Sequence, residues 1–382
     1  MKKYSVTNIC NCFGCGLCAS VCPKRAINLN LNDDGFYRPY VDSTLCVECG
    51  ICVDVCSFSN NGLSQSLTPL HSYGAWSNNS EARKRCSSGG VAYELGRYLL
   101  NNGFKVCGVR YNVRDERAEH YLASNEEELS YSIGSKYIQS YSIDAFRQIN
   151  KNEKYLITGT PCQIDSFRRY IRKFRIEDNF ILMDFFCHSV PSMLAWQKYL
   201  KITEKRIGKL ENVSWRNKLT GWHDSWLMRL EGNNGKVNSW FSKGDLFYKL
   251  FLGDYCCNPA CVKNCKFKYD RSSADIRIGD FWGNTYKDDE KGVSSVVAFT
   301  DKGDEVIKSL DCLLIEYPFE IVAEGQMKKN AGRAYTSSLI MRALKDESTC
   351  EDTFRFLFKI EGILRLPHRL LNKLSRALCR RK

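Results

Sequence analysis

No stretch of this sequence approaches about 18 uninterrupted apolar residues, so no membrane-spanning helix is expected. Met1, Lys2 and Lys3 lead into polar residues and then cysteines, with no apolar core behind them. A secretory leader is therefore not expected, and the cytoplasm is. There is no C-x3-C-x2-C run, which removes radical chemistry on S-adenosylmethionine. Nor does any recognised nucleic-acid-binding module accompany the formal charge of +13, so no nucleic-acid partner is expected. What the chain has in excess is cysteine, twenty in 382 residues. In a reducing compartment such density points to metal before disulfides, and the spacing decides which metal. Charged residues at 26% and hydrophobic residues at 43% are ordinary for a folded protein, and the length suffices for two or three domains.

Two cysteine runs recur at an offset of 34 residues: Cys12, Cys15, Cys18 and Cys22, then Cys46, Cys49, Cys52 and Cys56, with Gly16 repeated as Gly50. Each run reads C-x2-C-x2-C-x3-C, and the first ends in Pro23, the pattern of two-cluster bacterial ferredoxins. Three cysteines at x2 intervals wrap one cube, while the fourth faces away and ligates the other. This predicts one [4Fe–4S] cluster on Cys12, Cys15, Cys18 and Cys56, and its partner on Cys46, Cys49, Cys52 and Cys22. Glycine lets backbone N–H groups approach the inorganic sulfide. Zinc suits C-x2-C as well, but eight cysteines in duplicated triplets favour iron. Cys10 lies outside the repeat and reads as a spare thiol.

Residues 1–60 thus form a ferredoxin-like domain. The polar run 61–70 reads as a linker, 71–345 as a second domain and 346–382 as a helical C-terminal region. Strand-like runs at 104–111, 154–159, 180–187 and 293–300 alternate with helical patterns at 89–101, 162–173 and 191–204, which predicts an α/β domain with a mixed sheet.

Three junctions stand out. Ser87, Ser88, Gly89 and Gly90 precede a helical pattern that either serine can cap, leaving N–H groups for an anion such as phosphate. Gly159, Thr160, Pro161 and Cys162 join a strand to a helix, where the helix dipole favours a thiolate at Cys162. Cys257, Cys261 and Cys265 fall within nine residues ahead of the segment 274–283 (ADIRIGDFWG). Three cysteines cannot complete a four-cysteine site, so a distant fourth is needed, and Cys162 or Cys187 is the candidate.

Taken in order, SSGG at 87–90, GSKYIQS at 134–140, GTPCQI at 159–164, DFFCHSVPS at 184–192, RNKLTGW at 216–222, CVKNCKFK at 261–268 and ADIRIGDFWG at 274–283 resemble one family, spanning nearly the whole chain. It is the beta-subunit family of coenzyme F420 (8-hydroxy-5-deazaflavin) hydrogenases and dehydrogenases, which also includes chlorophyll(ide) reductases. The resemblance implies a mixed-sheet α/β flavin-binding domain with FAD and a third [4Fe–4S] cluster on Cys162, Cys187, Cys261 and Cys265. It also implies flavin contacts at Ser87, Ser88, Gly89, Gly90, Lys136, Tyr137, Gly159, Thr160 and Asp280. The family more often shows C-x2-C where this chain has C-x3-C at 261 and 265, and glycine at Ser189, which leaves Cys257 as an alternative ligand. Three clusters at 2+ against four thiolates each would lower the formal charge by about six, to roughly +7.

The function expected is an iron–sulfur flavoprotein oxidoreductase, passing electrons between a low-potential donor and a small organic acceptor in either direction. His188, His223, Asp224 and Lys136 are the candidate proton donors. The alternative is a relay subunit of a larger redox complex, with no substrate site of its own. At the C-terminus, Leu364, Leu366, Leu370, Leu371, Leu374 and Leu378 recur near helical spacing among Arg365, Arg369, Lys373, Arg376, Arg380, Arg381 and Lys382. Such a tail suits peripheral contact with anionic lipid, an acidic partner, or packing on its own domain.

Overall fold

The computed structural model describes residues 5–7, 9 and 12–366; Cys10 and the larger part of the basic tail, residues 367–382, lie outside the described residues. Gly16 and Gly50 take left-handed φ values of 77° and 75°, and from each the chain enters one helical turn, Leu17–Ser20 or Ile51–Asp54. At Gly16 a Cβ would also lie 2.3 Å from Ser142 Oγ, so conformation and space both demand glycine there. Between the two turns β1 (Ile27–Leu31) and β2 (Tyr37–Val41) form an antiparallel hairpin. Alternation buries Ile27 and Leu29 against Val6, Ala19, Cys18 and Cys52, and Ile143 from the following domain completes this small core.

Beyond it come β3 (His71–Ser77), β4 (Phe104–Asn112), β5 (Arg117–Ala123), β6 (Ser140–Tyr141), β7 (Lys154–Thr158) and β8 (Phe180–Phe185). Next, β9 (Leu210–Ser214), β10 (Leu227–Gly232) and β11 (Gly235–Trp240) make a separate three-stranded antiparallel sheet. Then β12 (Ile276–Asp280), β13 (Ser294–Ala298) and β14 (Cys312–Glu316) return to the first group. The large sheet has nine strands in the order β14-β3-β13-β12-β8-β7-β4-β5-β6. Its centre, β12-β8-β7-β4, is parallel, and antiparallel neighbours flank it, so the sheet is mixed. Leu156 and Ile181 face the helix Val91–Asn101, while Tyr155, Ile157 and Leu182 face the helix Pro161–Phe174. Strands covered on both faces read as continuous apolar runs, which is why β7 and β8 were visible in the sequence.

The differences from expectation have physical reasons. β8 stops at Phe185, and just beyond it Lys268 Nζ donates to the carbonyls of Cys187 (2.7 Å) and His188 (2.5 Å). β12 was hidden by Arg277, a charged residue that is fully buried in the strand. The expected cap at Ser87 or Ser88 is not made. Gly90, at φ 89°, is the N-cap, Ser88 Oγ donates to the Val293 carbonyl (2.7 Å), and Ser87 Oγ accepts from Ser135 N (2.9 Å). The run 61–70 is strapped to the second domain: Ser64 N donates to Asp165 Oδ1 (2.6 Å), Arg169 to Gly62 O (2.6 Å) and Ser273 Oγ to Gln65 O (3.1 Å). Among the described residues no helix is long and apolar enough to cross a membrane.

Candidate functional site

In the N-terminal sixty residues the two cysteine runs cross over. Burial raises the Cys18 thiol well above its usual range, and the neighbouring charges of Cys15, Cys12 and Cys56 raise it further. Cys15 is pushed up to about 12 by burial, with Cys56 and Cys12 adding to the effect. The last cysteine of the second run therefore stands with the first three of the first run. Reciprocally, burial raises Cys52, and its neighbours are Cys49 and Cys22. Gly14 N donates to Cys12 Sγ (3.2 Å), the kind of backbone donor that stabilises a ligating sulfur.

A third group assembles where the parallel strands end, the usual place for a ligand in such a sheet. Cys162 opens the helix Pro161–Phe174, which is capped by Thr160 and Gln163. Cys187 follows β8, Cys261 lies in the short helix Pro259–Lys263, and Cys265 comes just after it. The expected depression of the Cys162 thiol is not found. Burial raises it well above the usual range against the opposing hydrogen bond with Thr160, and the charges of Cys15, Cys261 and Cys187 push the same way as burial. Cys187 is pushed up to about 11 by burial, with Cys265 adding and Lys268 opposing, and Cys261 is raised by burial and by Cys187. Mutually repelling buried thiols fit a metal cluster, whose positive core would hold them as thiolates. Cys257 also lies within the influence of Cys261, with Ser189 Oγ 3.0 Å and Asp254 Oδ1 3.6 Å from its sulfur.

The first and third groups are stitched together. Ser57 Oγ donates to Cys162 O (3.2 Å) and lies 2.8 Å from Ser166 Oγ, toward which Cys15 Sγ points at 3.7 Å. Phe13 stacks on Phe58 at 4.0 Å and packs with Cys162, Cys261 and Phe267 in a single apolar cluster.

The residues expected around a flavin form a second network. The loop 134–140 runs through it: Ser135 bonds to Ser87, Tyr137 Oη accepts from Arg216 (3.3 Å), and Ser140 Oγ accepts from Gln163 (3.3 Å) beside Cys162. Arg216, which is buried, grips Asp280 at 2.9 and 3.1 Å and lies over the rings of Trp226 (4.7 Å) and Trp282 (5.3 Å). Lys218 Nζ donates to the carbonyls of Ser88 (2.9 Å) and Arg83 (2.5 Å), and Lys136 Nζ donates to Tyr131, Ser132 and Ile133. Among the described residues neither ammonium is in a salt bridge. Burial lowers Lys136 to about 7 and Lys218 to about 8, and the neighbouring Cys86 opposes both shifts. Two desolvated cations near the uncapped N-terminus of the helix Val91–Asn101 suit an anionic group such as a pyrophosphate. Gly159 and Thr160 stand on the cysteine side of the loop, with Thr160 Oγ1 3.1 Å from Cys162 Sγ.

Comparison with known proteins decides the family. Residues 11–60 match the model of the 4Fe-4S dicluster domain. Residues 72–146 match that of the coenzyme F420 hydrogenase/dehydrogenase beta subunit N-terminus, and 152–314 that of its C-terminus, together more than half of the chain. The chain belongs to the coenzyme F420 hydrogenase/dehydrogenase beta-subunit family. It is 29% identical over 163 residues to a coenzyme F420-dependent sulfite reductase of Methanocaldococcus jannaschii, a match covering 41% of this chain and 25% of that protein. The match thus spans about a quarter of that relative's length. Among solved structures, a chain of the F420-reducing [NiFe] hydrogenase complex from Methanosarcina barkeri is similar at 17% identity and a TM-score of 0.45, over 73% of this chain and 88% of that one.

Within this chain the candidate proton donors do not converge. His188 Nε2 lies 2.9 Å from Asp254, beside the third cysteine group. His223 is on the surface, its Nε2 3.2 Å from Tyr286 O and its ring 4.9 Å from that of Trp222. Asp224 accepts from Thr220 (3.0 Å), and Lys136 belongs to the loop network. Sequence reasoning missed Arg216, Lys218, Cys86 and Trp282 as site residues. The first two lie in RNKLTGW and the last in ADIRIGDFWG, but a buried arginine paired with Asp280 over indole rings is legible only in three dimensions.

Proposed function

We propose that this chain is an iron–sulfur flavoprotein oxidoreductase that exchanges electrons between a low-potential donor or partner subunit and a small organic acceptor. The observation carrying this is the adjacency of the three cysteine groups: Cys18 and Cys52 share one apolar cluster, and Ser166 and Ser57 join Cys15 to the Cys162 carbonyl. Cys12, Cys15, Cys18 and Cys56 would hold one cluster, Cys46, Cys49, Cys52 and Cys22 another, and Cys162, Cys187, Cys261 and Cys265 a third. Ser87, Gly89, Gly90, Lys136 and Lys218 would hold the phosphates of FAD, and Tyr137, Arg216 and Asp280 would position the rest. When bound, clusters carry single electrons and a flavin collects two for an organic acceptor. The Phe13, Phe58 and Phe267 cluster would keep the space between the first and third cysteine groups apolar.

Protein purified without oxygen should contain about twelve irons and about one FAD per chain. About eight irons would remove the third site, and clusters without FAD would favour the relay-subunit alternative. The two lysines add a pH dependence. Each holds its proton below its lowered pKa and loses it above, whereas an ordinary lysine stays charged to 10.5. Retention of FAD on gel filtration should therefore be strongest below pH 7 and fall as the pH rises through about 8, with iron content constant as the control. A profile flat to pH 9 would remove these lysines from the phosphate site.

A further inference from the structure

Among the described residues, outside the twelve cysteines discussed above, one other set of metal-ligating side chains converges. His188 Nε2, Asp254 Oδ1 and Cys257 Sγ all lie within 4.8 Å of one another. The His188–Asp254 separation is 2.9 Å and the Asp254–Cys257 separation 3.6 Å. Tetrahedral zinc ligands at about 2.0–2.3 Å from the ion stand roughly 3.3–3.8 Å apart, so small side-chain movements would close a site. Ser189 Oγ, 3.0 Å from Cys257 Sγ, lies on the same side.

The site is built rather than accidental. Segments 187–192 and 254–258 are zipped together by the Pro191–Cys257 bridge and by Asn258 N to Val190 O and Ser192 N to Cys256 O, both 2.8 Å. Asp254 takes a left-handed φ of 62°, unfavourable for a residue with a side chain, and Gly332 N fixes its other carboxylate oxygen at 2.9 Å. The His188 ring is held edge-on by Phe251 at 5.2 Å. His188 and Asp254 remain about one-fifth exposed, which leaves an entry path.

We infer that His188, Asp254 and Cys257 form a mononuclear site for a zinc-class divalent transition metal, its fourth position open to Ser189 or water. One neutral imidazole, one carboxylate and one thiolate are a mixed donor set that suits zinc and is unlike the all-cysteine groups beside it. The ion would tie the loop carrying Cys187 to the one carrying Cys261, and zinc, being redox-inert, would leave electron flow alone. The inference uses none of the cysteines assigned to clusters and stands apart from the flavin reading.

The test uses cluster-loaded protein, dialysed anaerobically against Zn2+ and then against metal-free buffer. About one zinc per chain is expected beside an unchanged iron content, and Cys257→Ser, His188→Gln and Asp254→Asn should each weaken zinc binding at least about tenfold without loss of iron. Asp254→Asn keeps an acceptor for Gly332, so it guards against misfolding as the cause. With Co2+ in place of Zn2+, a thiolate-to-cobalt charge-transfer band should appear in the difference spectrum and vanish in Cys257→Ser. Wild-type protein that retains no zinc, variants that bind it as well as wild type, or iron lost from Cys257→Ser would each overturn the inference. Zinc bound here in a chain without FAD would instead overturn the flavin reading and leave this one standing.

Discussion

Replacing Cys162 by serine should leave about eight of about twelve irons and a folded protein. The hydroxyl is a far weaker ligand than a thiolate, and the eight N-terminal cysteines do not depend on it. The helix start itself should survive, because the capping box of Thr160 and Gln163 is untouched and Ser57 bonds the Cys162 carbonyl, not its sulfur. Low-temperature EPR of the reduced variant should show two interacting clusters, and reduction of any bound flavin by a one-electron donor should slow by orders of magnitude. Retention of about twelve irons would take Cys162 out of the ligand set and put Cys257 in its place, which would also remove the zinc site inferred above.

Changing Asp184 to asparagine should lower unfolding stability by about 3–5 kcal/mol, the cost of leaving a buried charge without its partner. Asp184 and Arg277 are both fully buried and joined at 2.6 and 2.7 Å. Arg277 also holds the carbonyls of Tyr269 (2.7 Å) and Arg271 (3.0 Å), and Ser272 Oγ donates to Asp184 at 2.7 Å. The pair thus pins the segment after Cys265 against the strand that leads to Cys187. Iron content should fall toward about eight along with stability. Denaturant unfolding of the variant against wild type measures the first effect. The double change Asp184→Leu with Arg277→Met should be the milder one, since removing both charges leaves neither unpaired. A loss under about 1 kcal/mol for Asp184→Asn would show that the pair is not what holds the loop.

Much of the fold was legible because its elements are local. The runs around Leu156 and Ile181 are continuously apolar, since helices cover both sheet faces there, and the repeat at an offset of 34 announced two equivalent cluster loops. The strand Ile276–Asp280 escaped because Arg277 breaks its apolar pattern, and its charge makes sense only beside Asp184. Trp196 and Trp215 buried against Phe247 form the largest apolar cluster, yet sequence spacing gave no hint of the small sheet they support.

The candidate site divides along the same line. Spacing by itself determined which cysteines share a loop, and that Cys22 and Cys56 should cross over, because short-range geometry limits where a sulfur four residues away can point. Family resemblance supplied the four cysteines of the third group. Only the tertiary structure decided that Ser57 and Ser166 join Cys15 to the start of the Cys162 helix and that Cys257 groups with His188 and Asp254. It alone decided that burial raises the Cys162 thiol, and that Arg216 reaches Asp280 across 64 residues of sequence. Desolvation and charge pairing depend on what surrounds a group in space, and a sequence records neighbours along the chain alone.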